Sequence, residues 1–213
     1  MIFLSSLLQF PSPSEADQDG LLAVGGDLSI KRLLLAYNSG IFPWYEDGQP
    51  ILWWSPDPRM ILYPEKLKVS KSLQKTIKNE KFTVTYNTAF SEVIKNCAAI
   101  KREGQGGTWI TEAMQKAYQT LHGQGYAFSV EVWRDGDLVG GLYGIDLADK
   151  KVFCGESMFS IESDASKVGF YSLVLQLRKK GYRFIDCQMY TTHLESLGAE
   201  EITRDEFLKL LAM

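Results

Sequence analysis

The chain has 213 residues, 45% of them hydrophobic and 23% charged, with a net charge of −3. That composition excludes disordered and fibrous classes, allows one large domain or one with a small satellite, and leaves any nucleic-acid contact to a local basic patch. Three scattered cysteines and two histidines form no C-x-x-C pair, offer no zinc ligand set and weaken any Ser-His-Asp scheme; a reduced, cytoplasmic compartment is expected.

The first ten residues, Met1 to Phe10, are apolar, lack a basic stretch and meet Pro11 and Pro13 at once. An ordered first strand or docking arm is expected rather than a signal peptide. No run is long enough to span a membrane. Residues 1–58 read as a small aromatic- and proline-rich α+β domain. Within it a helix is predicted from Ile30 to Asn38, capped by Ser29, stopped by Gly40 and carrying Leu33, Leu34 and Tyr37 as its apolar stripe. Pro56 and Pro58 around Asp57 demand a rigid loop. Trp44, Trp53 and Trp54 are either the core of this unit or a platform for a base.

A second domain is expected over 59–213. Ser70 caps a predicted helix from Lys71 to Asn79, with Leu73 and Ile77 turned inward and Lys71, Lys75 and Lys78 on one face. That stripe is either a solvated face or a track for phosphates. A further helix is predicted from Asn87 to Ala98, a flexible loop over Gly104–Gly107, and a helix starting near Thr111 with Met114, Ala117, Tyr118 and Leu121 inward. Three strands follow, Tyr126–Arg134, Asp137–Leu147 and Lys151–Ser160, the first two joined by an Asp135-Gly136 hairpin turn. Glycines 140, 141 and 144 inside the second strand call for a bulge or a close approach. A helix from Asp164 to Lys180 draws its apolar content from Ala165, Val168, Leu173, Leu175 and Leu177. The last strand is Phe184-Ile185-Asp186-Cys187-Gln188. Strict alternation puts Asp186 and Gln188 on one of its faces.

Three strands in a meander, a helical crossover and a parallel fourth strand place the carboxyl ends of the third and fourth strands beside one crevice. Those ends carry Glu156 and Asp186 with Gln188. Asp186 either caps or salt-bridges locally, or it serves chemistry in that crevice. N-acetyltransferases are built on the same order, so the expected fold is an α+β, N-acetyltransferase-like mixed sheet with helices on both faces. Coenzyme A is disfavoured, because the loop Ser160 to Ser166 has no glycine and two acids where a pyrophosphate cradle would sit.

Several longer strings then carry a resemblance. Gly20-Leu21-Leu22-Ala23-Val24-Gly25-Gly26-Asp27-Leu28-Ser29, Gly40-Ile41-Phe42-Pro43-Trp44-Tyr45 and Trp53-Trp54-Ser55-Pro56-Asp57-Pro58-Arg59 resemble the bacterial leucyl/phenylalanyl-tRNA–protein transferases. So do Gly107-Thr108-Trp109-Ile110, Gly155-Glu156-Ser157-Met158-Phe159-Ser160, Ile185-Asp186-Cys187-Gln188 and Ser196-Leu197-Gly198-Ala199, all in order between about Phe10 and Leu210.

The resemblance implies transfer of leucine, phenylalanine or sometimes methionine from aminoacyl-tRNA to the α-amino group of proteins beginning with Arg or Lys, marking them for degradation. It implies no metal and no cofactor, and a monomer is expected. Asp186 and Gln188 would orient or polarise the incoming amine, and Glu156 would lie near the acceptor. Leu142, Met158, Leu173 and Leu177 would line the aminoacyl pocket. Trp44, Trp109 and Tyr118 would meet the terminal adenosine, and Lys71, Lys75 and Lys78 the acceptor-stem phosphates. The chain departs from relatives at Leu173 and Leu177, where some carry Phe, at Phe128, where His is frequent, and at Thr191, where several have Asn. Two other readings stay open: the same donor with an acidic N-terminus or a peptidoglycan amine as acceptor, and a non-catalytic module that binds the tRNA 3′ end.

Overall fold

The computed structural model describes residues 2–100 and 108–213; the loop expected at Gly104–Gly107 lies outside the described residues. A four-stranded mixed sheet comes first. Its strands are β1 (Ile2–Leu4), β2 (Leu21–Gly25), β3 (Phe42–Pro43) and β4 (Leu52–Trp54), in the order β1-β2-β4-β3. Helix α1 (Ile30–Asn38) lies between β2 and β3, with the Ser29 hydroxyl accepting from the Arg32 N–H. Trp53 is in the core, its indole N–H donating to the Gly25 carbonyl at 2.8 Å.

The remaining elements build a seven-stranded mixed sheet. In chain order they are β5 (Arg59–Leu62), α2 (Lys71–Lys78), β6 (Thr83–Tyr86), α3 (Phe90–Ala99), α4 (Glu112–Gly123), β7 (Ala127–Arg134), β8 (Asp137–Leu147) and β9 (Val152–Ser160). Then come α5 (Ala165–Lys179), β10 (Phe184–Gln188), α6 (Thr192–Ser196), β11 (Glu200–Ile202) and α7 (Arg204–Ala212). The strand order is β11-β5-β10-β9-β8-β7-β6. The antiparallel meander β7-β8-β9 and the parallel β9–β10 pair form as the order of elements predicts. Beyond β10 the sheet does not stop. The run after Pro58, which reads in sequence as the exit of a loop, enters as β5, antiparallel to β10 and to β11.

Local chemistry sets the boundaries. Asp135 and Gly136 both take positive φ, 52° and 93°, as a tight hairpin turn requires. Helix α3 begins three residues later than its periodicity suggests. Asn87 is left-handed at φ 57°, its side-chain oxygen accepts from the Ser129 N–H, and the Glu131 carboxylate accepts from the Thr88 and Ala89 N–H groups. Gly140 meets the predicted need for a close approach: a Cβ there would lie 2.7 Å from the Ala165 Cβ, at the start of α5. Helix α5 presents Phe170, Leu173, Val174 and Leu177 to the sheet at helical spacing. Helices α3 and α4 pack on the other face, where Val93, Ile94, Met114 and Leu121 join one apolar cluster with Leu33, Tyr37, Phe42 and Trp53 from the first sheet. The described residues thus form seven α-helices on two mixed sheets that share a core. None of those helices is long and apolar enough to cross a membrane.

Candidate active site

Strands β9 and β10 pair in parallel through Asp186 and Cys154, then separate. Strand β9 runs on beside β8 to Ser160, while β10 shifts register against β5 between Asp186 and Gln188. The wedge left between them is a cavity of about 560 Å³, within the range of about 300–1,000 Å³ typical of ligand sites. Its apolar wall includes Leu142, Met158, Phe170, Leu173, Ile185 and Cys187. Glu156 and Gln188 supply polar groups, and Trp44 from the first sheet and Trp109 from the segment before α4 also line it.

Asp186 does not open into this cavity. Its two oxygens accept from Arg59 Nε at 2.8 Å and Nη2 at 2.7 Å, and both side chains are buried. Arg59 also donates to the Gly40 carbonyl at 3.2 Å, and its guanidinium lies 4.9 Å from the Phe42 ring centre and 4.5 Å from that of Phe207. Asp186 Oδ1 accepts in addition from the Gln188 N–H at 3.0 Å. That bond accompanies the register shift and a left-handed Gln188 at φ 58°. Strict alternation therefore fails here. The sequence expectation of one shared face for Asp186 and Gln188 is corrected, because the bulge turns Gln188 to the cavity side. Arg59, which composition and spacing give no reason to single out, is the residue that the sequence reading misses.

Glu156 is held differently. Its Oε2 accepts from the Tyr118 hydroxyl at 3.0 Å, and that hydroxyl is also hydrogen-bonded to the Tyr37 hydroxyl of α1. Its Oε1 is buried with no hydrogen-bond partner among the described residues. Loss of hydration pushes its carboxyl up to about 7, while hydrogen bonds from Tyr37 and Tyr118 pull the other way. Burial, with the neighbouring Glu156 charge, raises both phenols well above their ordinary range, so they stay protonated donors.

The other expected residues fall into three groups. Leu142, Met158 and Leu173 line the cavity, but Leu177 packs in the apolar cluster behind it and does not reach the wall. Trp44 and Trp109 are half-buried cavity residues, whereas Tyr118 is fully buried and offers no ring face to a base. Its hydroxyl meets Glu156 instead. Lys71, Lys75 and Lys78 are exposed on α2, which packs on α5 outside the cavity. Thr191 caps α6 by accepting from the Leu194 N–H, and Phe128 packs against Phe153. Phe170, Cys187 and Tyr190 line the cavity unannounced by any pattern. Among the described residues no group of three or more His, Cys, Asp or Glu is placed to hold a metal ion.

A family model described as leucyl/phenylalanyl-tRNA protein transferase matches residues 61–212, and one for that family's N-terminal domain matches residues 26–57. A leucyl/phenylalanyl-tRNA–protein transferase of Christiangramia forsetii is 60% identical over 99% of this chain and 100% of its own. Those of Flavobacterium johnsoniae (59%; 99% of each chain) and Maridesulfovibrio salexigens (57%; 95% of this chain, 84% of its own) are comparable. Among solved structures, a GCN5-related N-acetyltransferase from Kribbella flavida overlays 78% of this chain and 58% of its own, with a TM-score of 0.41 at 13% identity. With the family models spanning most of its length and such relatives covering nearly all of it, the chain belongs to the leucyl/phenylalanyl-tRNA–protein transferase family.

Proposed function

We propose that this enzyme moves leucine, phenylalanine or methionine from aminoacyl-tRNA to the α-amino group of proteins that begin with arginine or lysine, marking them for degradation in the cytoplasm. The observation that carries the reading is an apolar cavity lined by Glu156, a carboxylate one of whose oxygens is buried with no hydrogen-bond partner among the described residues. Leu142, Met158 and Leu173 fit an apolar aminoacyl side chain. One methylene is worth only about 1–3 kcal/mol in such a pocket, which suits a donor range spanning Leu, Met and Phe. Trp44 and Trp109 would stack on the terminal adenosine, and Lys71, Lys75 and Lys78 would hold acceptor-stem phosphates.

The aminoacyl ester is already activated, so the chemistry requires no cofactor and no covalent intermediate on the enzyme. It requires the α-ammonium of the acceptor to lose a proton. Glu156 is suited to accept it, because its carboxyl, pushed up to about 7 by burial, is matched to an α-amino group, ordinarily near about 7.7–8.0. The positive charge of an arginine or lysine at the acceptor's first position favours the ionised form of Glu156, which ties basicity at residue one to catalysis. One proton of the ammonium passes to Glu156, the amine attacks the ester carbonyl, and the acyl carbon–oxygen bond to the ribose breaks, that oxygen taking up the second proton that the nitrogen loses as the amide forms. Asp186, saturated by Arg59, positions Gln188 through its backbone N–H, and Gln188 orients the amine.

Transfer of labelled leucine from charged tRNA to peptides that differ only in residue one tests the reading. Label on Arg and Lys peptides, and none on Ala or Glu peptides, is expected. Label on peptides with an acidic first residue or on peptidoglycan amines would overturn the acceptor assignment. Binding of charged tRNA without transfer to any amine would overturn the catalytic one.

A further inference from the structure

A second cavity, of about 550 Å³, lies beside the first and is lined by Met60, Lys66, Lys68, Tyr190, Glu195 and Glu201 among others. Its floor is the end of the large sheet. Met60 of β5 pairs with Gln188 of β10 on one side and with Glu201 of the outermost strand β11 on the other. Tyr190 belongs to the walls of both cavities. Met189 and Tyr190, adjacent at the ridge between them, are 41% and 48% exposed.

We infer that this second cavity receives the residues that follow the acceptor's first one, as a stretch of extended polypeptide passing over Tyr190. The inference rests on the acceptor reading above and deepens it. The reacting amine lies in the first cavity, so the rest of the acceptor chain has to leave it. The wall of Trp44 and Trp109 is taken by the end of the tRNA, which leaves the Gln188–Tyr190 wall for the polypeptide. The chemistry of the second cavity fits that occupant. Lys66 is paired with Glu200 at 2.6 Å, and Tyr190 donates to Glu195 at 2.7 Å. Lys68 and Glu201 have no ion-pair partner among the described residues. A peptide backbone presents donors and acceptors in alternation and is matched by groups of both kinds. Three carboxylates, Glu195, Glu200 and Glu201, repel the phosphates of RNA and turn this cavity away from the tRNA.

Transfer kinetics on argininamide, an Arg-led tetrapeptide and an Arg-led octapeptide provide the test, with wild type, Glu201→Lys and Lys68→Glu. Both positions are exposed and lie outside the catalytic cavity. KM should fall at least tenfold from argininamide to the tetrapeptide. Each variant should lose most of that gain while keeping the wild-type kcat on argininamide. The variants should also shift preference at acceptor position three in opposite directions, Glu201→Lys toward acidic and Lys68→Glu toward basic residues. Acceptance of argininamide with a KM independent of length, or unaltered length dependence in both variants, overturns this inference and leaves the acceptor reading intact. Failure of every Arg-led acceptor overturns both.

Discussion

At the scale of single residues, two carboxylates beside one strand split have opposite environments. Asp186 is tied to Arg59 by two short bonds, while one oxygen of Glu156 has no hydrogen-bond partner among the described residues. Under the proposed mechanism that divergence separates their roles: Asp186 holds structure and Glu156 takes the proton. The surroundings of Glu156 are the phenols Tyr37 and Tyr118, with Asp186 raising its carboxyl and Arg59 lowering it. In the single-turnover pH–rate profile of the wild type, a rise with an inflection near 7 is expected; Glu156→Gln should lose that inflection and at least a hundredfold in rate, in line with a general base worth about 10²–10⁴. Stability should respond as well. The folded-state value lies above the unfolded one, so the folded protein binds the extra proton and stability is lost as pH rises from about 4.5 through 7. A difference of that size corresponds to about 3 kcal/mol. Denaturant titrations at pH 5 and pH 8 should therefore show Glu156→Gln gaining on wild type at the higher pH.

The Arg59–Asp186 pair yields a separate expectation. Removing one partner of a buried pair strands the other, at about 3–5 kcal/mol. Asp186→Ala should fall in that range by urea unfolding. The double variant Arg59→Met, Asp186→Leu should regain most of the stability, yet transfer more than tenfold slower than wild type, because Gln188 has lost the oxygen that fixes its backbone. Restored stability with restored rate would show that Asp186 does nothing for Gln188. That Glu156 and Asp186 lie near each other is legible, because strand order alone brings the ends of β9 and β10 together; that Asp186 is bound by Arg59 and does not line the crevice is not. Arg59 is not legible. It lies 127 residues from its partner, and a charge heading a four-residue strand after Pro-Asp-Pro looks like the end of a loop.

At the scale of elements, helix α5 shapes one wall of the cavity proposed to take the aminoacyl side chain. Its buried positions Phe170, Leu173, Val174 and Leu177 follow helical spacing, but only Phe170 and Leu173 reach the cavity. Periodicity shows which face of a helix is buried; it does not separate residues facing an empty wedge from those packed behind it, so it cannot single out Phe170, and Leu177, which the resemblance would put in the pocket, packs in the apolar cluster behind the wall. Leu173→Phe fills part of the wedge and should cut the ratio of phenylalanine to leucine transfer by about tenfold, the scale of one or two methylenes. A ratio unchanged in competition between the two charged tRNAs would remove Leu173 from the pocket. Helix α2 is closely legible from Ser70 and the lysine spacing, since capping and surface charge are local matters. Lys71→Glu with Lys75→Glu should raise KM for aminoacyl-tRNA with kcat kept, and should flatten the fall of activity with salt. Equal salt slopes in variant and wild type would assign the stripe to solvent.

At the scale of the whole molecule, the meander, the crossover and the parallel fourth strand are legible because each connection is short and its handedness constrained. The extension of the sheet through β5 and β11 is not, because those strands are three or four residues long and pair across more than a hundred positions. The joint between the two sheets is equally hidden. It runs through Tyr37, Phe42 and Trp53, which share one apolar cluster with Ile61, Tyr118 and Phe207.

The hydroxyl chain from Tyr37 through Tyr118 to Glu156 crosses that joint. If Glu156 takes the proton as proposed, the phenol that holds it is itself braced from α1, so docking of α1 against α4 sets the surroundings of the proposed base. A polypeptide cut after residue 58 and expressed as two pieces should be inactive as the larger piece alone and regain transfer when the smaller piece is added. If residues 59–213 transferred leucine at the full rate by themselves, the first sheet would be a dispensable cover. The expected complementation makes it instead a removable half of the catalytic apparatus, one through which activity can be switched by mixing.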